Sequence, residues 1–217
     1  MTSSRLSVLE MLASAVGRSA TWDRPVLVGI DGVDGAGKTM FADDLAAHLR
    51  SNGQPVLRVS IDGFHRPAAE RYRLGRRSPV GFFAESYDYD AFRAQVLDPL
   101  APGGSRLVRT AIRDVASDAA LDLPARTVSD DTVVVADGIF LHRDELVDSW
   151  DVSVFLDVSF AVTFRRMAVR DGCPADPADP ANARYLEGQR LYLSQCRPQD
   201  RATYVIGNED PRHPIVR

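Results

Sequence analysis

The chain of 217 residues suits one α/β domain with a small lid. With 45% hydrophobic and 26% charged residues it holds enough apolar material for a sizeable core. A formal charge of -4 argues against broad nucleic-acid binding, which depends on extensive phosphate neutralisation.

Leu6, Leu9, Leu12 and Val16 are spaced as one face of a first helix ending at Gly17. This segment lacks the continuous apolar stretch of a signal peptide, and no run approaches the ~18 apolar residues that cross a membrane. Cys173 and Cys196 sit in neither metal nor CxxC spacing and read as reduced thiols of a cytoplasmic protein. Pro25 opens the apolar run Val26 to Ile30, a buried strand, and Phe41, Leu45 and Leu49 mark a helix closed by Gly53. Val56 to Ile61 is a second strand. Residues 63–86 are polar and arginine-rich, with Arg66, Arg71, Arg73, Arg76 and Arg77, and read as a long substrate loop.

A helix from Asp88 to Leu97 follows, then a break at Pro99 to Gly104 and an alternating piece, Arg106 to Ile112, of hairpin type. Thr132 to Ala136 and Val152 to Val158 are further buried strands, the first ending at Asp137-Gly138. A helix bearing Phe160, Phe164 and Met167 leads into a Pro-, Asp- and Ala-rich stretch, placing a flexible lid at about 171–187. A polar helix from Arg184 to Cys196 and a strand from Thr203 to Ile206 complete the chain. This alternation predicts a doubly wound, mostly parallel sheet flanked by helices, with its site at the carboxyl ends of the strands.

Gly32-Val33-Asp34-Gly35-Ala36-Gly37-Lys38-Thr39 matches GxxxxGK[ST] at every fixed position, between a predicted strand and a predicted helix. Glycines let the backbone amides curl around an anion, and the following helix adds its positive end. Lys38 then reaches the outer phosphates of ATP, and the Thr39 hydroxyl ligates Mg²⁺. Asp137, at the end of an apolar strand, is the companion acid for the metal or its water shell. The fold expected is therefore that of a P-loop NTPase.

With these residues, Ser60-Ile61-Asp62-Gly63-Phe64-His65-Arg66, Tyr87 to Phe92 and Ala136 to Leu141 carry a resemblance to the uridine kinase family of P-loop kinases, kin to phosphoribulokinase and bacterial pantothenate kinase. Arg165-Arg166 with Arg170-Asp171 resembles that family's arginine-bearing start of the lid. The resemblance implies that Asp62 is the general base and that Asp88 holds vicinal hydroxyls of a ribose-like acceptor. The alternatives are a loop-capping role for Asp62 and a helix N-cap for Asp88. Asp62 ends a strand expected to lie beside that of the cradle. Arg166 and Arg170, i and i+4 on one helix face, are expected to point at the transferring phosphoryl group; paired surface charge is the alternative.

The sequence departs from the family on the acceptor side. His65 replaces the usual Tyr, and Arg113 to Asp118 takes the place of a Tyr-Asp-Phe run that contacts the pyrimidine. His65 and Arg113 are accordingly substrate-side candidates, and the arginine cluster is either an anion site or a solvated loop. The expected activity is ATP- and Mg²⁺-dependent phosphorylation of a small hydroxyl-bearing metabolite, foremost a nucleoside such as uridine or cytidine. The rivals are a sugar, pantothenate-like or phosphorylated acceptor, and a nucleotide-dependent switch with slow ATPase.

Overall fold

The computed structural model describes residues 2–21 and 23–217. In chain order the elements are α1 (Ser3–Ser19), β1 (Val26–Gly32), α2 (Lys38–Ser51), β2 (Val56–Ser60), α3 (Ala68–Arg71), α4 (Pro79–Glu85), α5 (Tyr89–Phe92) and α6 (Asp98–Leu100). There follow β3 (Leu107–Val108), β4 (Arg126–Thr127), β5 (Val133–Asp137), β6 (Val152–Asp157), α7 (Phe160–Asp171), α8 (Ala183–Cys196), α9 (Pro198–Arg201), β7 (Tyr204–Gly207) and β8 (Ile215–Val216). No described helix is long and apolar enough to cross a membrane.

The main sheet runs β2-β5-β1-β6-β7-β8, parallel throughout except for the antiparallel edge strand β8. β1 and β5 are buried at every position. Their side chains alternate between two cores, as a period of two requires. Val26, Val28, Ile30, Val133 and Val135 meet α1 and α2 on one face. Leu27, Val134 and Ala136 meet the aromatic core of α4, α5 and α8 on the other. Covering both faces with helices is what permits near-continuous apolar strands.

Three expectations are revised. β5 intervenes between β1 and β2, so Asp62 follows a strand one removed from the cradle strand. Residues 63–86 are not one continuous loop but hold two short helices, α3 and α4, with α4 begun by Pro79 at its first turn and capped by Ser78, whose Oγ accepts from the Gly81 amide at 3.0 Å. The alternating piece at 106–112 contributes β3, which pairs antiparallel with β4 in a separate two-stranded ribbon.

α4 and α8 approach closely at Gly188, where a Cβ would lie 2.6 Å from Phe82 Cδ1 and 2.9 Å from the Pro79 carbonyl oxygen. Gly188→Ala is therefore expected to destabilise the fold by about 1–3 kcal/mol, although alanine is the better helix former. Denaturant melts of the two proteins measure this directly. Unchanged stability would mean that the helices part without cost.

Candidate active site

At the carboxyl end of β1 the chain turns through residues 32–37 and enters α2 at Lys38. Gly35 has φ +75°, and a Cβ there would lie 2.6 Å from the Thr163 carbonyl oxygen in α7. The loop is thus pressed on α7 in a conformation that suits glycine. No described side chain caps α2, which leaves its positive end open to an anion. Asp34, Gly35, Gly37, Lys38 and Thr39 line a cavity of about 280 Å³, while Gly32, Val33 and Ala36 are buried and do not line it. Lys38 Nζ donates to the Val33 carbonyl at 3.0 Å, a bond within its own loop. Thr39 Oγ1 donates to Asp137 Oδ2 at 2.7 Å, so two hard oxygen donors converge beside the cradle, as Mg²⁺ requires.

The cradle rests on a buried polar network. Asp31, fully enclosed within an otherwise apolar strand, needs partners for its charge. Its Oδ1 accepts from the Gly32 amide at 2.6 Å, and its Oδ2 accepts from the His142 amide at 3.1 Å and lies 2.7 Å from His142 Nδ1. The Tyr192 hydroxyl of α8 also donates to Oδ2, and burial, followed by the Asp31 charge, raises that hydroxyl well above its ordinary pKa. One turn earlier on α8, Gln189 Oε1 accepts from the Asp34 amide at 2.5 Å. α8 therefore holds the loop at two points.

A second cavity, of about 580 Å³, opens beside the first. Asp34, Asp62, Ile139 and Arg170 line both, and so mark where they meet. Asp62 Oδ1 accepts from Tyr87 OH at 2.9 Å; burial, then the Asp62 charge, raises the Tyr87 hydroxyl well above its usual pKa. His65 lies against Tyr87 with ring centroids 4.5 Å apart, and its Nδ1 is 2.8 Å from the Asp62 carbonyl oxygen. Burial lowers the pKa of His65 and so favours the neutral ring. Burial also raises Asp34, with Lys38 opposing. Arg170 reaches the junction and pairs with Asp171 at 2.7 Å.

The remaining sequence candidates lie elsewhere. Arg166 does not line either cavity: its Nη1 donates to the Gly35 carbonyl at 3.1 Å and its Nη2 to the Asn208 carbonyl at 2.9 Å, bracing the loop from α7. These carbonyls hold a guanidinium that the resemblance and the i, i+4 spacing with Arg170 direct at the transferring phosphoryl group. Asp88 caps α5 through the Ala91 amide at 2.9 Å and is absent from both cavity walls. Arg113 Nη1 donates to the Asp118 carbonyl at 2.6 Å, within its own loop, and lines neither cavity. Of the clustered arginines, Arg66 and Arg73 pair with Glu70 and Glu85, and Arg71 alone lines the larger cavity.

The stretch 171–187, expected as a flexible lid, runs from the end of α7 into the first turn of α8 beside the larger cavity. Gly172 ends α7, and the Asn182 side chain ties the loop through the Pro174 and Asp176 carbonyls, each at 2.8 Å. Cys173, Asn182, Arg184 and Tyr185 contribute to the cavity wall. Reading the sequence alone assigns no role to Asp31, Arg58, His142, Gln189 or Tyr192, and includes Tyr87 only as part of the stretch Tyr87 to Phe92. Only Asp31 carried a local signal, as a charge directly after the apolar run Val26 to Ile30.

Residues 27–173 match the model of the phosphoribulokinase / uridine kinase family. The chain is similar to the uridine kinase of Leuconostoc citreum, at 26% identity over 161 residues, covering 68% of this chain and 69% of that protein. Its fold is similar to that of a possible uridine kinase from Bacillus stearothermophilus, with a TM-score of 0.71, 22% identity, and coverage of 91% of this chain and 96% of the other. Phosphoribulokinase from Rhodobacter spheroides aligns with a TM-score of 0.59 and 15% identity over 85% of this chain and 70% of its own. With the doubly wound sheet and the phosphate cradle, these similarities show that the chain belongs to the phosphoribulokinase / uridine kinase family and is a phosphotransferase acting on a hydroxyl acceptor.

Proposed function

We propose that the protein transfers the γ-phosphoryl group of ATP to a hydroxyl of a nucleoside of the uridine or cytidine type. The observation that carries this reading is the place of Asp62, an exposed carboxylate on the walls of both the phosphate cradle and the acceptor cavity. A base there can take the proton of an acceptor hydroxyl as its oxygen attacks the γ-phosphorus and the bond to the β-phosphate oxygen breaks. Tyr87, bonded to Oδ1, orients the carboxylate. Lys38 and the open amides of α2 bind the phosphates, and Arg170 is placed to balance charge that develops at the junction. Thr39 and Asp137 would hold Mg²⁺, which when bound neutralises phosphate charge.

The acceptor cavity has the volume of a small-molecule site, and Tyr72, Phe82, Tyr87 and Tyr185 offer faces for a flat base. The uridine kinase relatives favour a nucleoside on the same side. One feature favours an anionic acceptor instead. Arg71, whose Nη2 pairs with Asp118 at 3.1 Å, is 8% exposed on that cavity and keeps an Nε with no hydrogen-bond partner among the described residues.

A coupled assay of ADP release with Mg·ATP, run against nucleosides, sugars, pantothenate and their phosphates, tests both. We expect an acceptor-dependent rate with uridine or cytidine. A rate confined to phosphorylated acceptors would transfer the assignment to the Arg71 reading, and ATP turnover indifferent to every acceptor would sink both.

A further inference from the structure

Asp137 has both carboxylate oxygens engaged before any ligand binds. Oδ2 accepts from Thr39 at 2.7 Å, and Oδ1 accepts from Arg58 Nη2 at 2.9 Å. The Arg58 guanidinium, on β2, is itself fixed on three sides: Nη1 donates to the Val135 carbonyl at 2.7 Å and Nε to Asp43 of α2 at 2.9 Å. Its side chain is 18% exposed and that of Asp137 is 3% exposed, so the pair is little screened by solvent. Asp43 stands four residues beyond Thr39 on α2, and the guanidinium therefore ties β2, β5 and α2 together around the carboxylate. Nothing in the GxxxxGK[ST] pattern calls for a cation here.

An arginine at this place has a cost for metal binding. A divalent cation approaching Asp137 meets a fixed positive charge on the same carboxylate, and the repulsion is strong in a partly buried setting. Among the described residues no three His, Cys, Asp or Glu side chains cluster to hold a metal by themselves. Thr39 and Asp137 provide only two donors, one of them already neutralised.

We infer that Arg58 keeps Asp137 charge-paired in the free enzyme and so prevents a divalent cation from binding until a nucleotide brings phosphate oxygens with it. The inference rests on Asp137 being the metal acid, as proposed above. Arg58 is a positioning residue: it acts on the metal through Asp137 and touches no reacting atom. The device makes cation and nucleotide bind as one ligand, and leaves the empty cradle free for the lysine to engage phosphate.

The test uses Mn²⁺ as a paramagnetic stand-in for Mg²⁺, counted as free ion by electron paramagnetic resonance, with the whole protein and no acceptor. Without nucleotide, Arg58→Gln is expected to bind Mn²⁺ at least about tenfold more tightly than the native protein, because one positive charge has gone. Arg58→Lys, which keeps the charge and loses the fork, is expected to stay as weak as the native chain. With ADP present the gain in the Gln variant should shrink, since phosphate oxygens then dominate the coordination. Thermal melts establish that each variant is folded, and the Lys variant stands as a second reading if Gln loosens β2.

If Arg58 only aims the carboxylate, the Gln variant binds Mn²⁺ no more tightly than the native protein, and the inference fails. It fails equally if Arg58→Lys tightens binding as much as Gln does. Asp137→Asn separates this from failure of the underlying assignment. Loss of ADP-dependent Mn²⁺ binding in that variant upholds Asp137 as the metal acid whatever Arg58 does, and unchanged binding overturns both.

Discussion

Asp62→Asn is expected to lower the rate of phosphoryl transfer by ~10²-fold or more while leaving ATP affinity unchanged. The substitution preserves shape and leaves an amide oxygen to accept from Tyr87 OH, which lies 2.9 Å from Asp62 Oδ1. What it removes is the ability to take a proton. Asp62 follows β2, and β5 separates that strand from β1, yet the turn Ile61–Phe64 carries the carboxylate back over the end of β5 to the junction of the two cavities. The Ser60 hydroxyl, bonded to the Asp62 amide at 3.3 Å, starts that turn. Rapid-quench measurement of transfer beside equilibrium titration of ATP separates the two effects. Should ATP or Mg·ADP affinity fall instead, with transfer from the bound complex intact, Asp62 serves the metal and the base must be sought elsewhere.

The substitution also touches a second carboxyl group. Asp34 also lies at the junction, and its carboxyl is raised by burial, opposed by Lys38 and raised further by Asp62. Neutralising Asp62 as Asn removes one contribution to the Asp34 shift. The cradle contacts of Lys38 and Thr39 are untouched by the change, and this is why the loss should appear in transfer and not in binding.

How much of this was legible in advance depends on how far apart the cooperating residues are in sequence. The cradle was fully legible, because its chemistry is local: eight consecutive residues, a strand before them and a helix after. The apolar runs of β1 and β5 announced buried parallel strands for the same reason. The order of strands was not legible. β5 pairs with both β1 and β2 through contacts between segments about a hundred residues distant, and no pattern inside β2 declares which neighbour it takes. The stretch at 63–86 was misread from its polarity. Ser78-Pro79 carried a helix start, and Phe82 and Phe83 carried a buried face, but five arginines outweighed them in composition. Arg166 illustrates the limit for site residues: its place on α7 was legible, whereas its partners, the carbonyls of Gly35 and Asn208, are brought near only by the fold. The network of Asp31, His142 and Tyr192 likewise spans three distant segments.

Lys38→Ala is expected to abolish turnover and to leave the fold intact. Both halves follow from the surroundings of the side chain. Lys38 is half-buried at the first position of α2, and its Nζ makes a hydrogen bond to the Val33 carbonyl at 3.0 Å. Losing one such bond at a partly wet site costs about 1 kcal/mol, and alanine is at least as good a helix former as lysine. The loop keeps its other supports: Asp31 beneath Gly32, Gln189 on the Asp34 amide, Arg166 on the Gly35 carbonyl and Asn208 Nδ2 on the Ala36 carbonyl at 2.8 Å. What the variant lacks is the only lysine in the 280 Å³ cavity, and with it the charge that meets the outer phosphates as negative charge moves toward the leaving oxygen. The uncapped end of α2 still attracts phosphate, so nucleotide binding should weaken and not vanish, whereas transfer should fall below detection. Circular dichroism, a thermal melt and the coupled ADP assay on the same preparation decide it. A folded Lys38→Ala protein that still turns over ATP with acceptor would show that the cradle does not perform the chemistry, and the activity would have to reside in another pair of cavities.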